Sequence, residues 1–214
     1  MSPHPVPPFP SPVTAASIDE AAVRVAEVVS RTPLELSARL SAATGAQVWL
    51  KREDLQPVRS YKIRGAYNLI VQLDHESRAK GVVCASAGNH AQGVALACRR
   101  LGVQGRIFVP GTTPRQKRER IVTLGGSGVE VIVVGDSYED AFRAAHDDSV
   151  ATGAALVPAF DDPRTIDGQG TVAREIVDQL GSAPDLVVLP VGGGGLIAGI
   201  STWMAERHAA TRIV

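Results

Sequence analysis

From Ser17 onward the apolar positions follow helical spacing. Ser17 stands at a capping position with Glu20 three residues on, and Ala21, Val25 and Val28 or Val29 follow. This pattern predicts a helix that is broken by Pro33. "AQVWLK" (46–51) then reads as a strand. Beyond it the pattern alternates between two periods. Apolar runs of strand length occupy 81–86, 105–110, 129–134, 154–158 and 185–191. Helical patterns lie between and after them, at 61–73, 89–101, 114–124, 138–152, 165–180 and 196–209. The strands are nearly continuous in apolar residues, as in strands covered on both faces. Strand–helix alternation of this kind predicts an α/β fold built on parallel sheets.

The N-terminal segment departs from this pattern. Prolines at 3, 5, 7, 8, 10 and 12 exclude both a helix and a sheet ladder, so residues 1–16 are expected to form a disordered, Pro-rich tail. At the other end "TRIV" (211–214) reads as the first residues of another strand, and the chain is expected to be an N-terminal fragment of a longer protein.

Composition narrows the function classes. Apolar residues make up 44% and charged residues 21% of 214 residues, ordinary values for a soluble globular chain. The 22 basic and 22 acidic residues cancel, which argues against nucleic-acid and membrane partners. There is no apolar run of transmembrane length and no signal-peptide pattern. The two cysteines, Cys84 and Cys98, imply no disulfide framework. A cytoplasmic location is the expectation.

Three strand ends carry unusual residues, and ligands of open parallel sheets collect at such ends. In "VGGGGLIAG" (191–199) four glycines let the backbone approach a ligand closely, and a helix starts at Leu196 with its positive dipole end. That combination suits a phosphate. Gly193, Gly195 and Ala198 also satisfy the loose G-x-G-x-x-A dinucleotide pattern, and a plain glycine linker is the structural alternative. In "SAGNHAQG" (86–93), Ser86, Gly88, Asn89 and His90 form a polar turn into a helix, suited to a carboxylate or a ring oxygen. An ordinary N-cap by Ser86 or Asn89 explains the same residues.

In "SYKIRGAYN" (60–68), Ser60 is read as a cap and Lys62 falls in the first helical turn. The dipole there disfavours an ammonium and favours the neutral amine that Schiff-base chemistry requires. The chain has four lysines against 18 arginines. Lys51 ends a strand, Lys80 precedes one, and Lys117 lies in the basic run "RQKRER". That run is read as a solvated helix face, capped by Thr113 with Pro114 first in the helix.

"KREDLQPVRSYKIRGAYN", "SAGNHAQGVA", "FDDPRTIDGQGT" and "VGGGGLIAG" closely resemble the threonine dehydratases (threonine ammonia-lyases), pyridoxal-phosphate enzymes of the tryptophan-synthase-β-like fold. The resemblance runs from about Arg31 to the end of the chain. It implies a two-domain parallel-sheet fold, incomplete at the C-terminus. Residues 17–60 and 156–214 would belong to the larger, cofactor-binding domain, and 61–155 to a smaller α/β domain. By position, Lys62 matches the lysine that bonds the cofactor, and Asn89 the asparagine on its 3-hydroxyl oxygen. Gly192, Gly193, Gly194, Gly195 and Leu196 match the phosphate loop, and Ser86, Ala87, Gly88 and His90 the loop receiving the substrate carboxylate. Tyr61 replaces the more usual phenylalanine and keeps the ring. The group that faces the pyridine nitrogen is expected beyond Val214.

The resemblance implies deamination of a small amino acid, L-threonine, to 2-oxobutanoate and ammonia, the first step towards isoleucine, by a homo-oligomer. Serine racemases and serine dehydratases share the lysine, asparagine and glycine-loop motifs and stay as alternatives. So do a dinucleotide-binding module and a chain inactive on its own.

Overall fold

The computed structural model describes residues 12–214. The expected Pro-rich tail falls largely outside them. The first helix, α1 (Ala15–Val25), starts two residues before the expected cap. Thr14, not Ser17, is the N-cap. Its hydroxyl accepts from the Ser17 amide at 3.1 Å, and the Ser17 hydroxyl takes the Thr14 amide at 2.9 Å, so Ser17 is the reciprocal partner in a capping box. A small antiparallel ladder follows, β1 (Leu34–Leu36) with β2 (Trp49–Lys51), spanned by α2 (Ala38–Thr44).

The main sheet has four parallel strands in the order β5–β4–β3–β6. They are β3 (Val82–Ala85), β4 (Gly105–Val109), β5 (Val129–Val133) and β6 (Ala155–Leu156). The connecting helices are α5 (Asn89–Leu101), α6 (Arg115–Gly125) and α7 (Tyr138–Thr152), with α3 (Lys62–Ile70) and α4 (His75–Lys80) preceding β3. Strand pleating divides the core. Val82, Cys84, Ile107 and Val109 pack with α3, α5 and α6 on one face. Val83, Ala85 and Phe108 pack with Ala141 and Ala145 of α7 on the other. All four residues of β3 are buried, as its unbroken apolar run predicts. Cys84 and Cys98 are buried free thiols.

A second core joins α1, α8 (Pro163–Leu180) and α9 (Gly195–Arg207) to a parallel pair, β7 (Leu186–Val187) with β8 (Arg212–Ile213). α8 approaches both α3 and α9 closely because glycines face one another. A Cβ at Gly168 of α8 would lie 2.5 Å from the Arg64 carbonyl, and one at Gly199 of α9 would lie 2.7 Å from the Gly170 amide. The run 185–191 is covered less than its composition predicts. Leu186, Val188 and Val191 are exposed, since among the described residues β7 pairs with β8 alone.

Two further caps differ from expectation. Tyr61, not Ser60, occupies the N-cap of α3, and Pro114, not Thr113, that of α6. The buried hydroxyls of Ser60 and Thr113 find no hydrogen-bond partner among the described residues. No helix of the described residues is long and apolar enough to cross a membrane.

Candidate active site

Lys62 is the first residue of α3. Its side chain is half-buried, and the Nζ donates to the Ala159 carbonyl at 2.9 Å and lies 5.2 Å from the Tyr61 ring centroid. Burial without a carboxylate partner holds its amine below the ordinary lysine range. The other lysines differ. Lys51 and Lys80 are paired with Glu175 and Glu76, and Lys117 is exposed.

The turn 86–90 joins β3 to α5 and adjoins α3. A Cβ at Gly93, one helical turn into α5, would be 3.0 Å from the Lys62 carbonyl group, so only glycine permits this approach. Gly88 is the N-cap, with no side chain capping α5, and the Ser86 hydroxyl accepts from the Gly88 amide at 3.3 Å. Asn89 is exposed. The His90 ring is turned inward, with Nε2 2.8 Å from the Val157 carbonyl oxygen. A carbonyl only accepts, so Nε2 carries the proton and Nδ1 is a bare, buried acceptor. Burial, despite the Val157 hydrogen bond and aided by Lys62, lowers the His90 pKa to about 4.

The glycine loop opens α9. Gly194 is its N-cap in the left-handed region (φ +89), and no side chain caps the helix. The first amides of a 13-residue helix are thus left for a ligand. Side chains added at Gly192 or Gly194 would meet nothing within 4 Å. A phosphate fits that open, uncapped amide cradle, and a half-buried lysine amine suits an aldehyde. The residues present therefore fit pyridoxal phosphate.

Sequence reasoning missed two parts of the arrangement. One is the segment after β6. Its carbonyls at Val157 and Ala159 receive His90 and Lys62, and Phe160 packs against Gly193 and Gly195. Backbone carbonyls leave no residue signature, so nothing pointed to them. The other is the network that anchors α3. Arg64, fully buried, forms two-pronged bonds to Glu53 (2.8 and 2.8 Å) and Glu175 (2.7 and 3.0 Å). Lys51 adds Glu175 at 2.6 Å, the Thr32 carbonyl at 2.7 Å and Gln179 at 2.8 Å. Burial raises the Glu175 carboxyl, but Arg64 and Lys51 outweigh it and hold the group below the usual carboxylate range. The charged "KRED" run and Arg64 were the available signal.

The chain is similar to known proteins over most of its length. Residues 25–214 match the PALP family, described as "Pyridoxal-phosphate dependent enzyme". Among curated relatives, "L-threonine dehydratase biosynthetic IlvA" of Mycobacterium leprae is 62% identical, over 95% of this chain and 48% of that protein. The protein of the same name from Corynebacterium glutamicum is 54% identical, over 94% of this chain and 47% of that protein. The chain spans about half the length of the curated relatives it matches. Among solved structures, processed threonine deaminase isoform 2 from Solanum lycopersicum aligns with TM-score 0.86 at 40% identity, over 99% of this chain and 60% of that one. Maize serine racemase aligns with TM-score 0.89 at 36% identity, over 94% and 60%. The chain belongs to the PALP family of pyridoxal-phosphate dependent enzymes.

Proposed function

We propose that this chain carries the reactive lysine and the phosphate cradle of a biosynthetic threonine dehydratase, which converts L-threonine to 2-oxobutanoate and ammonia. The observation that carries the reading is Lys62, an amine half-buried, held by a carbonyl rather than a carboxylate, and lowered in basicity. The names of the relatives at 62% and 54% identity support the substrate.

Each residue has a role in this reading. Lys62 would hold the cofactor, and its neutral Nζ would take the substrate's Cα proton. Pyridoxal phosphate, when bound, supplies the electron sink that makes that proton removable. The backbone amides of Gly192, Gly193, Gly194, Gly195 and Leu196 would hold its phosphate at the start of α9. Asn89, exposed at the start of α5, would hydrogen-bond the ring oxygen. Ser86, Ala87, Gly88 and the His90 amide receive the substrate carboxylate, while the His90 imidazole faces away towards Val157. The division into a larger domain (17–60 with 156–214) and a smaller one (61–155), a homo-oligomeric assembly and a cytoplasmic location belong to the same proposal.

The likeness to maize serine racemase favours a second reading, in which serine is the substrate. Turnover of L-threonine, L-serine and D-serine by the purified protein with pyridoxal phosphate separates the two. Preferential formation of 2-oxobutanoate from L-threonine is the expected result. Interconversion of the serine enantiomers without threonine turnover would replace the first reading by the second.

A further inference from the structure

The four glycines of 192–195 divide into two pairs. A Cβ at Gly193 would overlap the Phe160 ring, and one at Gly195 would lie 3.0 Å from the Phe160 Cα and carbonyl oxygen. Added at Gly192 or Gly194, it would meet nothing within 4 Å. One side of the loop is therefore seated on residue 160, and the other is open. Core packing does not account for this phenylalanine, because the residue is 40% exposed.

The residues just before Phe160 are tied down one after another. The Val157 carbonyl is 2.8 Å from His90 Nε2. The Pro158 carbonyl accepts from the Thr165 hydroxyl at 3.2 Å, and the Ala159 carbonyl accepts from Lys62 Nζ at 2.9 Å. Three successive carbonyls thus fix the segment to the start of α5, to α8 and to the reactive amine. The next residue meets the glycine loop.

We propose that Phe160 is a positioning residue, whose ring sets the glycine loop at a fixed distance from the Lys62 amine through the one-residue link to Ala159. The proposal rests on reading that loop as the phosphate cradle. Four consecutive glycines have the largest backbone freedom a chain can have, so their amides point at a ligand in advance only if something holds them. Phe160 supplies that support and joins it to the segment that bonds the amine. Removing the ring frees the loop and loosens the carbonyl on which Lys62 rests.

The test uses the purified protein with Phe160→Ala, and Phe160→Tyr as the conservative variant that keeps the ring. Two quantities are read: the Kd for pyridoxal phosphate by titration, and the pH of half-maximal acetic-anhydride labelling of Lys62 in cofactor-free protein, followed by mass spectrometry. Phe160→Ala should weaken binding by about tenfold or more. It should also move Lys62 labelling to higher pH, towards an ordinary lysine, as water reaches the amine. Phe160→Tyr should restore both. If Phe160→Ala does not fold, Gly193→Ala displaces the ring from the other side and should shift Lys62 labelling, and unchanged labelling in that variant would overturn the proposal. Unchanged labelling and affinity in Phe160→Ala, or losses that tyrosine does not restore, would overturn the proposal. Absence of pyridoxal-phosphate binding by the unaltered protein would instead refute the cradle reading, and Lys62 labelling would still report on Phe160.

Discussion

Acid should destabilise this protein through His90, in a pH range set by the burial of its ring. The folded imidazole is neutral, gives its Nε2 proton to Val157 and titrates at about 4 against an ordinary 6.5. Between these values the unfolded chain binds a proton that the folded protein refuses. Stability therefore rises with pH across that window, and is lost as pH falls from 6.5 towards 4. At ~1.36 kcal/mol per pKa unit, the full loss is about 3 kcal/mol, a large share of a typical ~5–15 kcal/mol stability. Glu175, with its lowered pKa, loses its contribution only at more acid pH. Asp167, raised by burial, has the opposite slope. The variant His90→Gln separates these terms, since an amide can still donate to Val157 and does not titrate. Urea unfolding of cofactor-free protein, from about pH 7 down to about pH 4.5, should show a steeper loss in the unaltered protein than in His90→Gln. Parallel slopes would refute the buried, neutral histidine.

Lys62→Ala should abolish borohydride-trapped attachment of pyridoxal phosphate and all amino-acid turnover while leaving the urea midpoint nearly unchanged; covalent trapping in that variant would assign the chemistry to Lys51, Lys80 or Lys117. Gly194→Val should introduce strain of about 1–2 kcal/mol at the left-handed position and weaken pyridoxal-phosphate binding by a larger factor; a titration showing unchanged affinity would make the loop structural. Arg64→Ala leaves Glu53 and Glu175 facing each other with Lys51 alone, and should cost about 3–5 kcal/mol in denaturant unfolding. A loss below ~1 kcal/mol would show that solvent already compensates those carboxylates.

Periodicity was most informative for the longer helices. α5 and α7 span the residues expected of them, 89–101 and 138–152. It failed for short, locally capped pieces. The helices α2 and α4 bury no residue and depend on the Ser37 and Asp74 caps, so they produce no apolar stripe to detect. The caps of α1, α3 and α6 lie one to three residues from their expected positions, because Thr14 takes the cap of α1 ahead of Ser17 and no side chain caps α3 or α6. Within the site, Lys62 and the glycine loop stand out because their chemistry resides in residue identity. The carbonyls of Val157 and Ala159 do not, since any residue can supply them. The inward turn of the His90 ring, and the split of the four glycines by Phe160, likewise depend on tertiary placement.

The docking of α1 sets an order on assembly. The Ser17 hydroxyl bonds Asp167 at 2.7 Å, 150 residues away, and the Trp203 indole bonds Asp19 at 2.9 Å, 184 residues away. The strands of the main sheet are close neighbours in sequence by comparison. Closing such long loops costs entropy before any contact forms, and a chain leaving the ribosome does not contain Trp203 while α1 is already exposed. The part of α1 that packs on α8 and α9, Ala15 and Ile18, therefore waits uncovered during synthesis. In kinetic terms residues 157–160 and 192–195 leave the ribosome after the strands of the main sheet, and the nascent chain can build that sheet before Lys62 meets the Ala159 carbonyl.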